Sequence, residues 1–374
     1  MDKRKTISKI FISGFKSIDQ TQEIELTGLN VVLGANGAGK SSFVAFFKLL
    51  SEMMKGNLQV WSGQQGGADR LLSYGIKHSQ EIRSKIRFGL NGYDFKLVPV
   101  DNGGLIFLSE DIYFNGRYGE KWINLGNGHA EAKLPKSHYE REFTGTEGDM
   151  ISYAYESISH WQIYHFHDTS DTALVKRYGA EDDNLFLRHD AANLAAFLYR
   201  LKKKNKRCYK SIVDTISLAI PFFDDFHLEP RELPSQEQQI NLRWRQKGSD
   251  YILWPSQLSD GSIRFICLAT ALLQPDPPST IIIDEPELGL HPYAITLLAS
   301  LFQSASNRMQ VITSTQSTEL VNHFSPENIL IVERDGGSST FGKLDADLLQ
   351  DWLEEYSLGE LWNKNILGGR PGHE

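Results

Sequence analysis

The stretch Gly34-Ala35-Asn36-Gly37-Ala38-Gly39-Lys40-Ser41-Ser42 satisfies G-x-x-x-x-G-K-[ST] at every fixed position. It follows the apolar run Leu29 to Leu33, which reads as a buried strand, and precedes Phe43 to Leu50, which reads as the first turns of a helix. Glycines in such a loop let the backbone curl until successive N–H groups point inward at phosphate oxygens. The helix N-terminus adds partial positive charge. Asn36, Gly37, Ala38, Gly39, Lys40, Ser41 and Ser42 are therefore read as a phosphate cradle. Lys40 would reach the β- and γ-phosphates, and the Ser41 hydroxyl is placed to ligate Mg²⁺. The competing reading, a Gly-rich turn that happens to carry Lys-Ser, leaves the strand–loop–helix context unexplained. The stretch predicts a nucleoside triphosphate site.

Outside that stretch the composition is ordinary. The chain has 374 residues, room for two domains or for one large nucleotide-binding domain with an inserted lobe. A net charge of −8 argues against a global nucleic-acid field, so any DNA contact must come from a local patch. The two cysteines, Cys208 and Cys267, lie far apart without metal-like spacing and fit a reducing compartment. Met1 to Lys9 is basic, but the apolar run after it is broken by Lys16 and is too short for a signal peptide. The longest apolar run, near Phe265 to Leu273, falls well short of a membrane span. The expected location is the cytoplasm, with no membrane partner.

The N-terminal residues 7–33 read as short strands. Gly56 to Gly67, rich in Gly and Gln, reads as a loop. Residues 82–125 hold strand-like runs separated by Asn-Gly and Asp-Asn-Gly-Gly, which predicts an antiparallel sheet inserted after the first helix. Residues 126–150 are polar and poorly patterned and read as an exposed loop. Trp161 to Phe166 reads as a strand. Leu194, Phe197, Leu198 and Leu201, then Ile212, Ile216 and Ala219, fall at helical spacing, and Pro221 ends that lobe near residues 184–220. Ile240 to Arg245 and Tyr251 to Trp254 read as a hairpin around Lys247-Gly248. Beyond Gln257, helices and strands alternate as in an α/β half: Thr280 to Ile283, Gln310 to Thr313 and Ile329 to Glu333 are the strands.

Two further motifs carry chemistry. Ile281-Ile282-Ile283-Asp284-Glu285-Pro286 ends an apolar strand in a carboxylate, where Asp284 can hold the Mg²⁺ shell and Glu285 can polarise an attacking water. The plainer reading is a strand that ends in an acidic turn. Leu258-Ser259-Asp260-Gly261-Ser262 opens a helix; alone it is an N-cap, but its place about 25 residues before the Asp-Glu strand makes it informative.

In combination these motifs, with Ile312-Thr313-Ser314-Thr315-Gln316-Ser317, resemble the ABC-type ATPases of the RecF/SMC/OLD group, including stand-alone bacterial proteins called AAA family ATPases. Ile10 to Ser17 resembles that group's N-terminal strand and turn, and Trp352 to Pro371 the C-terminus of its stand-alone members. The resemblance implies an α/β P-loop NTPase of ABC type, with a mixed, largely parallel core sheet, an antiparallel β-subdomain and an inserted helical lobe. As a single ABC-type domain it would divide into 1–168 with the P-loop, 169–260 leading to the signature, 261–345 as the other half of the core, and a tail at 346–374. Lys40 and Ser41 would be the Walker A lysine and Mg²⁺ ligand, Asp284 the Walker B aspartate and Glu285 the hydrolytic glutamate. Ser259 and Gly261 would be the signature that meets the γ-phosphate of ATP on the opposite subunit, in a head-to-tail homodimer with two sandwiched ATP molecules. Glu287 to His291 would be the D-loop.

The chain departs from that pattern in two places. Its switch position is Gln316 where the wider class usually has His; Gln can hydrogen-bond a phosphate or water but cannot take a proton. Slow or partner-dependent hydrolysis follows as an expectation. The Q-loop has no secure counterpart: Gln162, His167 and Asp168 are candidates, against a capping turn at the latter two. His165 and His167 are also weighed as a metal pair. Lys16 is read either as a contact near the base or α-phosphate or as a surface lysine. Lys202, Lys203, Lys204, Lys206, Arg207 and Lys210 form the one dense basic run, either a DNA-facing patch or a solvated helix end.

Two functions are expected. One is an ATP-hydrolysing dimeric switch in DNA maintenance or antiphage defence, with a separately encoded effector such as a nuclease, since the chain after residue 345 leaves no room for one. The other is an ATP-dependent module that holds a toxic partner protein inactive, with little hydrolysis. A P-loop kinase would leave the signature and the Asp-Glu pair without a purpose.

Overall fold

The computed structural model describes residues 5–117 and 119–368, so the first residues of the basic N-terminus and the end of the Trp352 to Pro371 segment lie outside the described residues. The chain forms two compact units, one of Met1–Trp161, Pro278–Ile282 and Met309–Glu374, the other of Gln162–Pro277 and Ile283–Arg308.

The first unit carries two sheets. One is antiparallel, in the order Ile18–Gln20, Lys9–Phe15, Ile82–Phe88, Asn91–Pro99, Leu105–Gly116, Gly119–Gly126, with Ile24–Glu25 paired to Lys9–Phe15. The hairpin signals between residues 82 and 125 thus mark real turns, and the N-terminal strand joins the same sheet, with Ile10 opposite Ile86. The other sheet runs in the order Ser338–Lys343, Ile329–Asp335, Leu29–Leu33, Gln310–Thr315, followed by strands that begin at Thr280 and Trp161. Leu29–Leu33 is parallel to both neighbours, with Leu33 level with Thr315 on one side and Ile331 on the other. Its five residues are all buried, which is why it reads as an unbroken apolar run. The following helix, Lys40–Met54, buries Phe43, Phe46 and Phe47. Phe46 stacks on Phe95 of the antiparallel sheet at 6.4 Å, and Phe43 meets Phe47 edge-on at 5.1 Å. The helix that starts at the phosphate loop is therefore fixed by aromatic packing.

Two expected loops are helical. Gly145–Ser159 buries Met150, Ile151, Ala154 and Ile158, and Leu134–Glu140 buries Leu134. Leu58–Gln64 buries Leu58 and Trp61 inside the Gly- and Gln-rich stretch. In Gly145–Ser159 and Leu58–Gln64, apolar side chains at helical spacing outweigh a polar, glycine-containing background.

The second unit is built on four helices: Leu194–Lys204, Lys206–Ala219, Asp260–Leu273 and Pro292–Ser306. Asn205 caps the second of these through Cys208 N–H, and Ser259 caps the third through Ser262 N–H. Phe265, Ile266, Leu268, Leu298 and Phe302 are buried there. Two small antiparallel sheets complete the unit, Gly179–Ala180 with Gln238–Ile240 and Arg231–Glu232, and Phe223–His227 with Arg243–Gln246 and Ile252–Leu253. The expected single strand from Ile240 to Arg245 is split between these sheets. The buried Asn241 side chain, which donates to the Lys176 carbonyl at 3.0 Å, stands at the break. The hairpin around Lys247-Gly248 is present, with Trp244 opposite Leu253. Among the described residues no helix is long and apolar enough to cross a membrane.

Candidate nucleotide-binding site

In the first unit, residues 34–39 curl between the buried strand and the helix. Gly37 and Gly39 take φ values of +79° and +118°, the left-handed region that a side chain disfavours. A Cβ on Gly39 would lie 2.0 Å from the Ser339 hydroxyl, whereas nothing lies within 4 Å of one on Gly37. The loop is thus closed against the protein at Gly39 and open at Gly37. Lys40 is 5% exposed, and its ammonium donates to the carbonyls of Gly34 at 2.8 Å and Ala35 at 3.0 Å. The loop therefore wraps its own lysine, with Asn36 and Gly37 exposed at the tip and Ser41 exposed at the helix start. Arg334 adds a guanidinium contact at 3.3 Å to the Gly37 carbonyl.

Gln316 follows the strand Gln310–Thr315, whose Thr315 is level with Leu33, so it leaves the sheet beside Gly34 in the register. Ser317 caps the next helical turn through Leu320 N–H. Lys16 stands in a left-handed turn with φ +51°, its amide bonded to the Leu71 carbonyl. Its ammonium is 3.5 Å from Gln65 and lies over the Phe15 ring, and burial lowers its pKa. These are the first unit's share of the expected site.

The second unit holds the rest. The strand Thr280–Asp284 ends in the half-buried carboxylate of Asp284, and Glu285 follows at φ +42°. A non-glycine residue in that region costs energy and marks a backbone set by its surroundings. Ser259 and Asp260 are exposed at the start of the helix Asp260–Leu273. Gly261 packs so closely on the turn after Glu285 that an added Cβ would lie 2.2 Å from the Gly289 carbonyl. Ser259, Gly261, Ser262, Gly289 and His291 line one cavity of about 120 Å³. His291 caps the helix Pro292–Ser306 by accepting from Tyr293 N–H at its Nδ1, which leaves Nε2 as the protonated nitrogen of the neutral ring.

Three residues received no site role from motif reading. Arg264, 8% exposed in the signature helix, donates to the carbonyls of Phe166 at 3.0 Å, His167 at 3.2 Å and Leu288. Burial lowers its pKa. Ser17 and Ser339, both in the first unit, meet each other at the P-loop. Only the close spacing of Arg264 to Ser259 could have drawn attention to it in sequence; Ser17 had only its place at the end of the Ile10 to Ser17 stretch, and Ser339 carries no local signal.

The other candidates resolve as follows. Asp168 accepts from Ser170 N–H and Oγ at 3.1 and 2.7 Å, a local capping turn, and these bonds lower its pKa. The rings of His165 and His167 are 6.4 Å apart, and among the described residues no three His, Cys, Asp or Glu side chains group as a metal site. In the basic run Lys202 pairs with Asp225, Lys210 with Asp214, and Lys203 lies over the Tyr199 ring.

Ser41 in the first unit and Asp284 in the second are each hard oxygen donors of the type Mg²⁺ takes, an ion usually held by one or two protein oxygens together with substrate phosphates. Within the first unit, the open Gly37 face and the enclosed Lys40 ammonium fit the phosphates of a nucleotide.

The comparisons with known proteins bear on the family and the fold. The family model described as "AAA domain, putative AbiEii toxin, Type IV TA system" matches residues 29–322. The DNA replication and repair protein RecF of Leptospira biflexa serovar Patoc, in the Ames and Paris strains, is 30% identical over 107 residues. That match covers 25% of this chain and 29% of RecF, so the chain spans under a third of the curated relatives it matches. Among solved structures, an SMC head bound to the C-winged helix domain of ScpA superposes with a TM-score of 0.58 at 15% identity, over 92% of this chain and 99% of that one. An Smc head domain with an extended coiled coil, bound to the C-terminal domain of ScpA derived from Pyrococcus furiosus, gives 0.54 at 14% identity, over 93% and 98%. At such identities the likeness is one of fold.

Proposed function

Because the chain belongs to that AAA-domain family, as an ABC-type ATPase of the RecF/SMC group, we propose that it is a dimeric switch that hydrolyses ATP to ADP and phosphate. The observation that carries the reading is the P-loop wrapped on Lys40, with the ammonium held by the Gly34 and Ala35 carbonyls and the loop open at Gly37. Bound phosphates would draw Lys40 from those carbonyls onto the β- and γ-oxygens. Ser41 and Asp284 would hold Mg²⁺, which supplies charge neutralisation on the same oxygens. Glu285 would orient the attacking water, and Gln316 would hydrogen-bond the water or the γ-phosphate without taking its proton. Ser259 and Gly261 would close the site from the opposite subunit.

The RecF name supports a place in DNA maintenance, and the family description, with its toxin of a type IV TA system, supports a toxin-linked setting; the separately encoded effector and the defence role are part of the proposal. The second reading, an ATP-dependent clamp on a toxic partner, is favoured by Gln316 alone. Steady-state ATPase rates of the wild type and Glu285→Gln, with and without duplex DNA, separate them. Turnover that is lost in the variant and stimulated by DNA supports the switch on nucleic acid. ATP-dependent complex formation with a partner and no turnover supports the clamp.

A further inference from the structure

We propose that Ser17 and Ser339 are positioning residues of the nucleotide site, joined in a hydroxyl chain that aims Ser42 at the bound nucleotide. This inference rests on the P-loop reading above and adds two residues that the reading gave no role at the nucleotide. Ser339 is the second residue of the strand Ser338–Lys343, which forms a hairpin with Ile329–Asp335, and it is fully buried. Its Oγ donates toward the Ala38 carbonyl at 2.7 Å and toward Ser17 Oγ at 2.8 Å, and Ser17 Oγ donates to Ser42 Oγ at 2.8 Å. The backbone reinforces the link, since Ser339 N–H donates to the Ser17 carbonyl at 2.7 Å.

A hydroxyl carries one proton. The single Ser339 proton is therefore shared between the Ala38 carbonyl and Ser17. When it goes to Ser17, Ser17 gives its own proton to Ser42, and the Ser42 proton is left to donate to an anionic oxygen. Chains of this kind polarise one another inside a protein. Gly39 sits directly on this group, its absent Cβ 2.0 Å from Ser339 Oγ and 2.9 Å from Ser17 Oγ, so the closest approach of the loop to the hairpin falls at the hydroxyls. The chain thus acts on one of two features of the cradle at a time: the proton given to Ser17 sets the direction of the Ser42 hydroxyl, and the proton given to Ala38 holds that carbonyl instead.

The test is a set of nucleotide affinities, read by calorimetry with ADP and with ATP in the presence of Mg²⁺. Ser339→Ala and Ser17→Ala are each expected to weaken ADP and ATP alike by about threefold to tenfold, the scale of one hydrogen bond. In a Ser42→Ala background neither change should weaken binding further, because the hydroxyl they aim is gone. A merely structural role would give the same loss with or without Ser42. Additive losses, or unchanged affinity in both single variants, overturn the inference. Ser17 is only half-buried, so Ser17→Ala carries the same test if Ser339→Ala fails to fold. A wild type that binds no nucleotide overturns the P-loop reading itself, an outcome distinct from binding with additive variants.

Discussion

The two units hold the residues proposed for nucleotide chemistry in opposite ways. In the first, the P-loop is secured from within: Lys40 is 5% exposed and bonded to the loop's own carbonyls, and Ser339 is buried beneath Ala38 and Gly39. In the second, Ser259 and Asp260 stand exposed at a helix start, while the firm contacts lie behind them, at Gly261 on Gly289 and at Arg264 on three carbonyls. A loop anchored inward is built to grip a ligand. A capped helix end presented outward is built to meet one that something else already holds. Binding should therefore depend on the first unit, and turnover on both.

The largest effect that would break this contrast is at Lys40. Lys40→Ala should weaken ATP binding by about 2 to 5 kcal/mol, the scale of removing one side of a desolvated charge pair, as measured by calorimetry. Retained affinity would refute the inward-anchored grip. Next is Gly261→Ala, whose methyl would press on the Gly289 carbonyl. Displacing the signature should lower the ATPase rate by about tenfold to a hundredfold, since misplacement near 1 Å has costs of that order, while ATP affinity stays near wild type. A parallel loss of affinity would show that the second unit also grips.

Arg264→Lys comes third. One ammonium cannot span the carbonyls of Phe166, His167 and Leu288 as a guanidinium does. The expected cost is about 1 to 3 kcal/mol in stability, from buried carbonyls left without donors, read by denaturant unfolding, with faster amide exchange around residues 166–168 and 288. The smallest effect concerns the thiols. Burial pushes Cys267 up to about 12 and also raises Cys208, whose Sγ donates to the Leu273 carbonyl. At pH 8 both stay protonated, so a thiol reagent should label the native protein far more slowly than the unfolded chain. Rapid native labelling would show that the second unit's helices open readily.

The contrast also explains what could be read from the sequence. The P-loop, the Asp284-Glu285 strand end and the signature helix were legible because each depends on residues within a short span. The β-subdomain was legible through its turn glycines. Gly145–Ser159 was not, because Met150, Ala154 and Ile158 make one narrow buried stripe on a helix that also contains two glycines. Leu58–Gln64 was hidden in the same way behind the glycines around Trp61. The chain of Ser17, Ser42 and Ser339 could not be read at all, since its members come from the N-terminal turn, the P-loop helix and a hairpin 322 positions from Ser17. Serines are common, and only the folded sheet brings these three together.

The central claim, that the P-loop of one chain works with the signature of another, is tested most directly by mixing two inactive variants, Lys40→Ala and Ser259→Arg. Each alone should hydrolyse almost no ATP. Mixed in equal amounts and allowed to exchange, half of the dimers should carry one intact site, restoring roughly a quarter of the wild-type rate by head-to-tail symmetry. A mixture as inactive as its components, or normal turnover by Ser259→Arg alone, would contradict the account.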